Sequence, residues 1–325
     1  MRSNEDWLLN IDPQLNAYYS QVSAAFPPIA DADALTRRTR NKQVAERFAP
    51  PAPRGVHIDA IDVPLEGRTL RARLYRPSHL DDALPLVVYY HGGGWVLGDL
   101  DTHEQVAVGL ALDAGVAVAS IDYRLAPEHP FPAANDDALD ALFWFAEQRP
   151  RFGLSVRPIG VAGDSAGAFL ATYAARQANE IVPGLVKAQL LLYPVVHPGI
   201  DTPSYERFTN GPGLTRGEML WFWTTFLDAP VMADGAGERW MADPRVNLVA
   251  SIPEHAPADA IVMVAGVDPL RDEGVDYARF LEQHGGDVEL IEAKDMTHGF
   301  ARLQHMSNAA RDWMRQAGVA LREML

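Results

Sequence analysis

The sequence predicts an α/β fold: a mostly parallel central sheet of about eight strands, flanked by helices and carrying a helical cap. Short β-rich runs alternate with helical patterns over most of the chain. Several of those runs, "PLVVYY", "VAVASI" and "AIVMVA", are apolar throughout instead of alternating, as strands buried on both faces are. Every apolar stretch is strand-length, far below the roughly 20 residues of a membrane-spanning helix.

The elements follow in order. Residues 1–48 read as a helical segment, polar and broken by "FPPIADAD", that stands outside the alternation. Residues 49–325 read as the main domain. Its first two runs, "HIDAIDVPL" (57–65) and "TLRARLYRP" (69–77), alternate and are joined by the short "EGR", which predicts an antiparallel hairpin at the sheet edge. Further strands are expected at 85–90, 116–123, 158–162, 188–195, 260–266 and 287–292, and helices at 102–114, 135–148, 166–179, 271–284 and 304–324. Residues 199–250 interrupt this rhythm with a long insertion, expected to act as a lid. Within it Thr215 and Glu218 have capping-box spacing, with Leu214 and Met219 placed as a hydrophobic staple, before the apolar "MLWFWTTFL".

Composition narrows the function. Lys and Arg number 28 against 43 Asp and Glu, a net charge of −15, which repels a phosphate backbone and argues against a nucleic-acid partner. The chain has no cysteine, hence no disulfide framework, thiolate metal site or thiol nucleophile. The opening "MRSNEDWLLNIDPQL" is too polar for a signal peptide, so a cytoplasmic protein with no membrane span is expected.

The stretch "GDSAG", residues 163–167, ends a buried strand and opens a helix. In that context G-x-S-x-G is a nucleophile elbow. The serine occupies a strained turn, a Cβ at either glycine would strike a neighbouring element, and the helix N-terminus faces the charge that forms on the substrate. "HGGGW", residues 91–95, leaves the sheet at the end of "PLVVYY". Glycines there let backbone N–H groups converge on an oxyanion, so Gly92, Gly93, Gly94 and Ala166 are the expected oxyanion hole, with the N–H groups of Gly93, Gly94 and Ala166 as donors and Gly92 helping the turn.

A serine hydroxyl needs a base, and the base needs an acid. Both should follow Ser165 at strand ends. "AIVMVAG" ends in "VDPLRDEG", offering Asp268, Asp272 and Glu273, and "DVELIEA" is followed by "KDMTHGF", offering His298. Asp268 is preferred because it sits in the turn at the carboxyl end of the strand, where open α/β sheets place their sites. Asp272 and Glu273 fall in a first helical turn, where acids ordinarily complement the helix dipole.

Together "HGGGWVLGDLDTH", "DYRLAPEHPFPAA", "GDSAGA", "DPLRDEG" and "THGF" resemble the bacterial hormone-sensitive-lipase-like family of α/β-hydrolase esterases, in its GDSAG branch. The resemblance runs from about residue 50 to the C-terminus. It implies a serine carboxylesterase acting on short to medium acyl esters of small molecules, with Ser165, His298 and Asp268 as triad and a cap built from the N-terminal helices and the insertion. It also implies a possible homodimer through the last edge strand and its helix.

The remaining candidates carry no second reading. His91 is expected to brace the glycine loop, and "HEQVA" lacks the second histidine of a zinc helix, so neither metal nor cofactor is expected. Amidase, lactonase or carbamate hydrolysis would use the same machinery, and a ligand-binding protein could share the fold. Trp95, after the glycines, and Trp221, Phe222 and Trp223 on the insertion helix are expected to limit the acyl pocket, because a helix apolar nearly all round must bury more than one face.

Overall fold

The computed structural model describes residues 10–26, 29, 31–80, 83–232 and 237–325; parts of both expected cap segments, residues 1–9, 27–28, 30 and 233–236, lie outside them. Eight strands form one sheet in the order β1-β2-β4-β3-β5-β6-β7-β8. They are β1 (Val56–Leu65), β2 (Arg68–Pro77), β3 (Leu86–Tyr90), β4 (Ala117–Asp122), β5 (Ile159–Asp164), β6 (Val186–Leu192), β7 (Asp259–Val267) and β8 (Val288–Thr297). β2 is antiparallel to both β1 and β4, and every pairing from β4 through β3 to β8 is parallel. This is the α/β-hydrolase arrangement, and every residue of β3 and β5 is buried.

Because successive side chains point to opposite faces, the sheet divides the interior into two cores. Val88, Tyr90, Val161, Leu191 and Val262 pack on one side with α4 (Ala133–Gln148), α5 (Ala166–Ile181) and α9 (Arg271–Gln283). Val87, Tyr89, Ala162, Leu190 and Ile261 pack on the other with α3 (Glu104–Ala114) and α10 (Asn308–Met324).

Residues before the sheet form α1 (Pro13–Ala25) and α2 (Ala34–Arg47), each opened by an aspartate, Asp12 or Asp33, whose carboxylate accepts a first-turn N–H. The insertion after β6 holds α6 (Pro203–Arg207), α7 (Arg216–Leu227) and α8 (Gly237–Ala242), where the sequence signals only α7 clearly. Its capping box forms as read: the Thr215 hydroxyl accepts from Glu218 N–H while Glu218 accepts from Thr215 N–H. The helix expected over 304–324 starts later, as α10, because Ser307 caps it by accepting from Ala310 N–H, and a separate 3-10 turn at Phe300–Leu303 precedes it. β8 runs five residues beyond its expected end and carries the chain to His298.

Candidate active site

Ser165 sits between β5 and α5 with φ +55° and ψ −120°, a conformation that side chains rarely adopt. The surroundings enforce it. A Cβ at Gly163 would strike the Gly167 carbonyl, a Cβ at Gly167 would strike the Tyr90 carbonyl, and Ser165 N–H donates to Leu192 O at 2.9 Å.

Two strand ends bring the partners. His298, just past β8, places Nε2 2.9 Å from Ser165 Oγ and Nδ1 2.7 Å from Asp268 Oδ2. A carboxylate only accepts, so Nδ1 carries the proton and Nε2 is left to accept from the hydroxyl. Asp268 follows β7, is fully buried, and accepts from Leu270 N–H at 2.9 Å through its other oxygen. The imidazole is also held edge-on by the Tyr193 ring, at 4.7 Å.

The competing acids are engaged elsewhere. Asp272 accepts from Ser204 N–H at 2.9 Å and from Arg271. Glu273 departs from the expectation of a helix-end acid: it is buried and accepts from the N–H groups of Val196 and His197, so it anchors the chain leaving β6. Loss of water raises its carboxyl above the usual range, against the pull of those hydrogen bonds.

In the glycine loop, Gly93 and Gly94 have φ +116° and +60°, which turn the backbone toward the cleft. Among the described residues the N–H groups of Gly93, Gly94 and Ala166 have no acceptor, and a developing oxyanion could fill that role. Gly92 corrects the expectation for this loop. Its N–H donates to Asp164 Oδ1 at 2.8 Å, so it fixes the loop and is not a free donor. His91 lies beneath, with Nδ1 2.8 Å from Gly92 O and its ring stacked on Tyr123 at 4.3 Å.

A cleft of about 260 Å³ opens at Ser165, bordered by Gly93, Gly94, Phe222, His298 and side chains of α2. Of the four aromatic residues expected to shape it, only Phe222 lines it. Trp95 and Trp223 are fully buried, and Trp95 stacks on Phe226 at 4.3 Å and meets Trp223 at 4.5 Å. At φ +60° the Trp95 backbone turns the indole into the core while the preceding glycines face the cleft. Trp221 borders an adjoining cavity of about 490 Å³, with the Arg37 guanidinium 4.1 Å above its ring. Sequence reading missed Asp164 and the arginines of the cleft wall. A buried acid at a strand end was visible in "GDSAG" and demands partners, whereas the arginines come from helix α2 and a turn remote in sequence.

A strained serine at a strand-to-helix turn, hydrogen-bonded in line to a histidine and a buried aspartate, defines the class of serine hydrolases of α/β-hydrolase architecture. The family model described as "alpha/beta hydrolase fold" matches residues 87–302, and the chain belongs to that family, as a serine carboxylesterase of the bacterial hormone-sensitive-lipase-like kind. It is 36% identical to the ethyl acetate hydrolase of Pseudomonas putida over 98% of this chain and all of that one. It is 37% identical to the carboxylic ester hydrolase LipN of Mycobacterium tuberculosis, covering 97% and 83%. Among solved structures, a hyperthermophilic esterase from the archaeon Pyrobaculum calidifontis superposes with a TM-score of 0.87 at 34% identity, covering 97% and 98%. No helix of the described residues is long and apolar enough to cross a membrane.

Proposed function

We propose that this carboxylic ester hydrolase works through Ser165, with His298 as base and acid and Asp268 as its orienting partner, on esters with short to medium acyl chains. The single observation that carries the reading is the unbroken hydrogen-bonded line from Asp268 through His298 to Ser165 Oγ.

Ser165 Oγ attacks the ester carbonyl as its proton passes to His298 Nε2. In this reading the oxyanion of the tetrahedral intermediate accepts from Gly93, Gly94 and Ala166 N–H, which have no acceptor among the described residues. The imidazolium, stabilised by Asp268, gives its proton to the departing alkoxide, leaving an acyl-enzyme and a free alcohol. Water then attacks the acyl carbon, losing its proton to His298. Collapse of the second intermediate returns that proton to Ser165 and releases the acid.

Residues 1–48 and the insertion at 199–250 act in this reading as a cap over the domain 49–325, because Arg37 and Val44 of α2 and Met219 and Phe222 of α7 border the cleft from above the sheet ends. Phe222 is the residue that limits the acyl chain. The exposed edge of β8, with Leu290, and Val319 on α10 would bring two copies together as a homodimer, which light scattering tests. A cytoplasmic location is checked by cell fractionation.

The assignment of the acid is tested by comparing Asp268→Asn with Asp272→Asn on 4-nitrophenyl butyrate. Asp268→Asn should lower kcat by roughly 10³ to 10⁴-fold, by favouring the wrong imidazole tautomer, and Asp272→Asn by less than about tenfold. The reverse order overturns the assignment. Amide and lactone substrates tried beside the ester separate the readings that share this machinery.

A further inference from the structure

The wall of the cleft at Ser165 gathers three arginines in a protein that is strongly acidic. Arg37, Arg40 and Arg302 stand in its wall with two carboxylates, Asp164 and Glu218, while the whole chain carries −15. Both carboxylates serve the fold. Asp164 accepts from Tyr89, Gly92 and Tyr193, and Glu218 accepts from the backbone and hydroxyl of Thr215.

Arg302 is placed to serve a ligand. It lies four residues after His298 in the Phe300–Leu303 turn, and its guanidinium folds back over Gly299, where a Cβ would meet Nη2 at 3.5 Å. It is half-buried, its hydrogen bond to Asn41 Oδ1 is long at 3.5 Å, and among the described residues it forms no salt bridge. It borders the Ser165 cleft on one side and a second cavity, of about 400 Å³, on the other. A guanidinium offers a planar fork of donors that fits a carboxylate in two parallel hydrogen bonds.

We propose that the preferred substrates are esters bearing a carboxylate, held by Arg302 with Arg40 as flanking cation. The proposal rests on the reading of Ser165 as nucleophile. The carboxylate can belong to the acyl part, as in a half-ester of a dicarboxylic acid, or to the alcohol part, as in an acylated hydroxy acid; the recognition chemistry is the same.

The test measures kcat/KM for an anionic ester and a neutral one of similar size in two arms, monoethyl glutarate against ethyl pentanoate and 4-acetoxybenzoate against phenyl acetate. In the arm that matches the natural substrate, the anionic-to-neutral ratio should fall at least tenfold in Arg302→Gln and less in Arg302→Lys. In the unaltered enzyme the same ratio should shrink as NaCl rises to about 0.5 M, since screening weakens a partly exposed ion pair. This second measurement needs no variant to fold. Neutral esters hydrolysed in a Ser165-dependent way, with ratios that neither Arg302→Gln nor salt moves in either arm, would overturn the proposal and leave the nucleophile standing.

Discussion

Gly92 N–H donates to Asp164 Oδ1 at 2.8 Å, so the glycine loop is tied to the residue immediately before Ser165. The same carboxylate accepts from Tyr89 OH at 2.6 Å and Tyr193 OH at 3.3 Å, all inside the protein. Ser165 and the glycine loop, the proposed nucleophile and oxyanion donors, are thereby tied together through one buried carboxylate. Hydrogen bonds to a charged acceptor are the stronger kind, and orphaning a buried donor costs about 1–3 kcal/mol.

Asp164 therefore acts as a positioning residue. Asp164→Ala should lower kcat by about 100-fold or more with a smaller change in KM, because the loop loses its anchor while the cleft keeps its lining. Asp164→Asn can still offer an oxygen to Gly92 and Tyr89 and an amide to Tyr193, and should restore much of kcat. Equal losses in kcat for the two variants, or a change confined to KM, would rule this role out.

Phe222 and Gly94 define a second contact. A Cβ on Gly94 would overlap the Phe222 ring, and Gly94 has φ +60° besides. Gly94→Ala should thus be strongly impaired, and adding Phe222→Ala should recover part of the loss by removing the clash, leaving a backbone strain of about 1–2 kcal/mol. Phe222→Ala alone should shift preference among 4-nitrophenyl esters toward longer acyl chains, each accommodated methylene being worth on the order of 1 kcal/mol. Trp223→Ala, which hollows out the core, should lower stability by roughly 3–5 kcal/mol instead. A parental chain-length profile in Phe222→Ala would place the limit elsewhere.

His103 gives the fold a dependence on pH. It is buried against the site, with Nδ1 3.0 Å from Thr102 Oγ1 and Nε2 3.7 Å from Asp164 Oδ2. Burial pushes its pKa well below the usual histidine value, and the charges of Arg302 and His91 push the same way, against a weaker opposing pull from Asp99. Burial lowers His91 too, against the hydrogen bond to Gly92 O. Such a histidine binds fewer protons folded than unfolded, so its contribution is whole above the unfolded value near 6.5. It is lost as pH falls from there toward the folded value, by up to about 1.4 kcal/mol per pH unit. The buried Glu273 has the opposite slope, losing stability as pH rises above the ordinary carboxylate range. Urea unfolding at pH 7.5, 6.5, 5.5 and 5.0 should show declining stability below 6.5, with a shallower decline in His103→Asn. Identical slopes in the two proteins would contradict it.

What the sequence made legible follows from how local each signal is. The eight strands read out because β3 and β5 are apolar throughout and β1 and β2 alternate, patterns fixed by burial alone. The capping box at Thr215 and Glu218 spans four residues and formed as read. The aromatic residues of α7 and the glycine loop were harder, because helix periodicity shows that two faces are buried but not which face meets the cleft; Trp223 turned to the core and Phe222 to the glycines. Gly92 looked equivalent to its neighbours, and only the distant Asp164 distinguishes it. Arg37, Arg40 and Arg302 converge across more than 260 positions of sequence, and no local pattern announces such a meeting.

The central claim is that Ser165 is the nucleophile. A fluorophosphonate forms a bond to an activated serine oxygen, so intact-mass and peptide analysis of the labelled protein reads the claim directly. One adduct per chain on Ser165, formed in step with the loss of ester hydrolysis and absent from a folded Ser165→Ala protein, is the expected result. An adduct on another residue, or near-parental hydrolysis in Ser165→Ala, would contradict it.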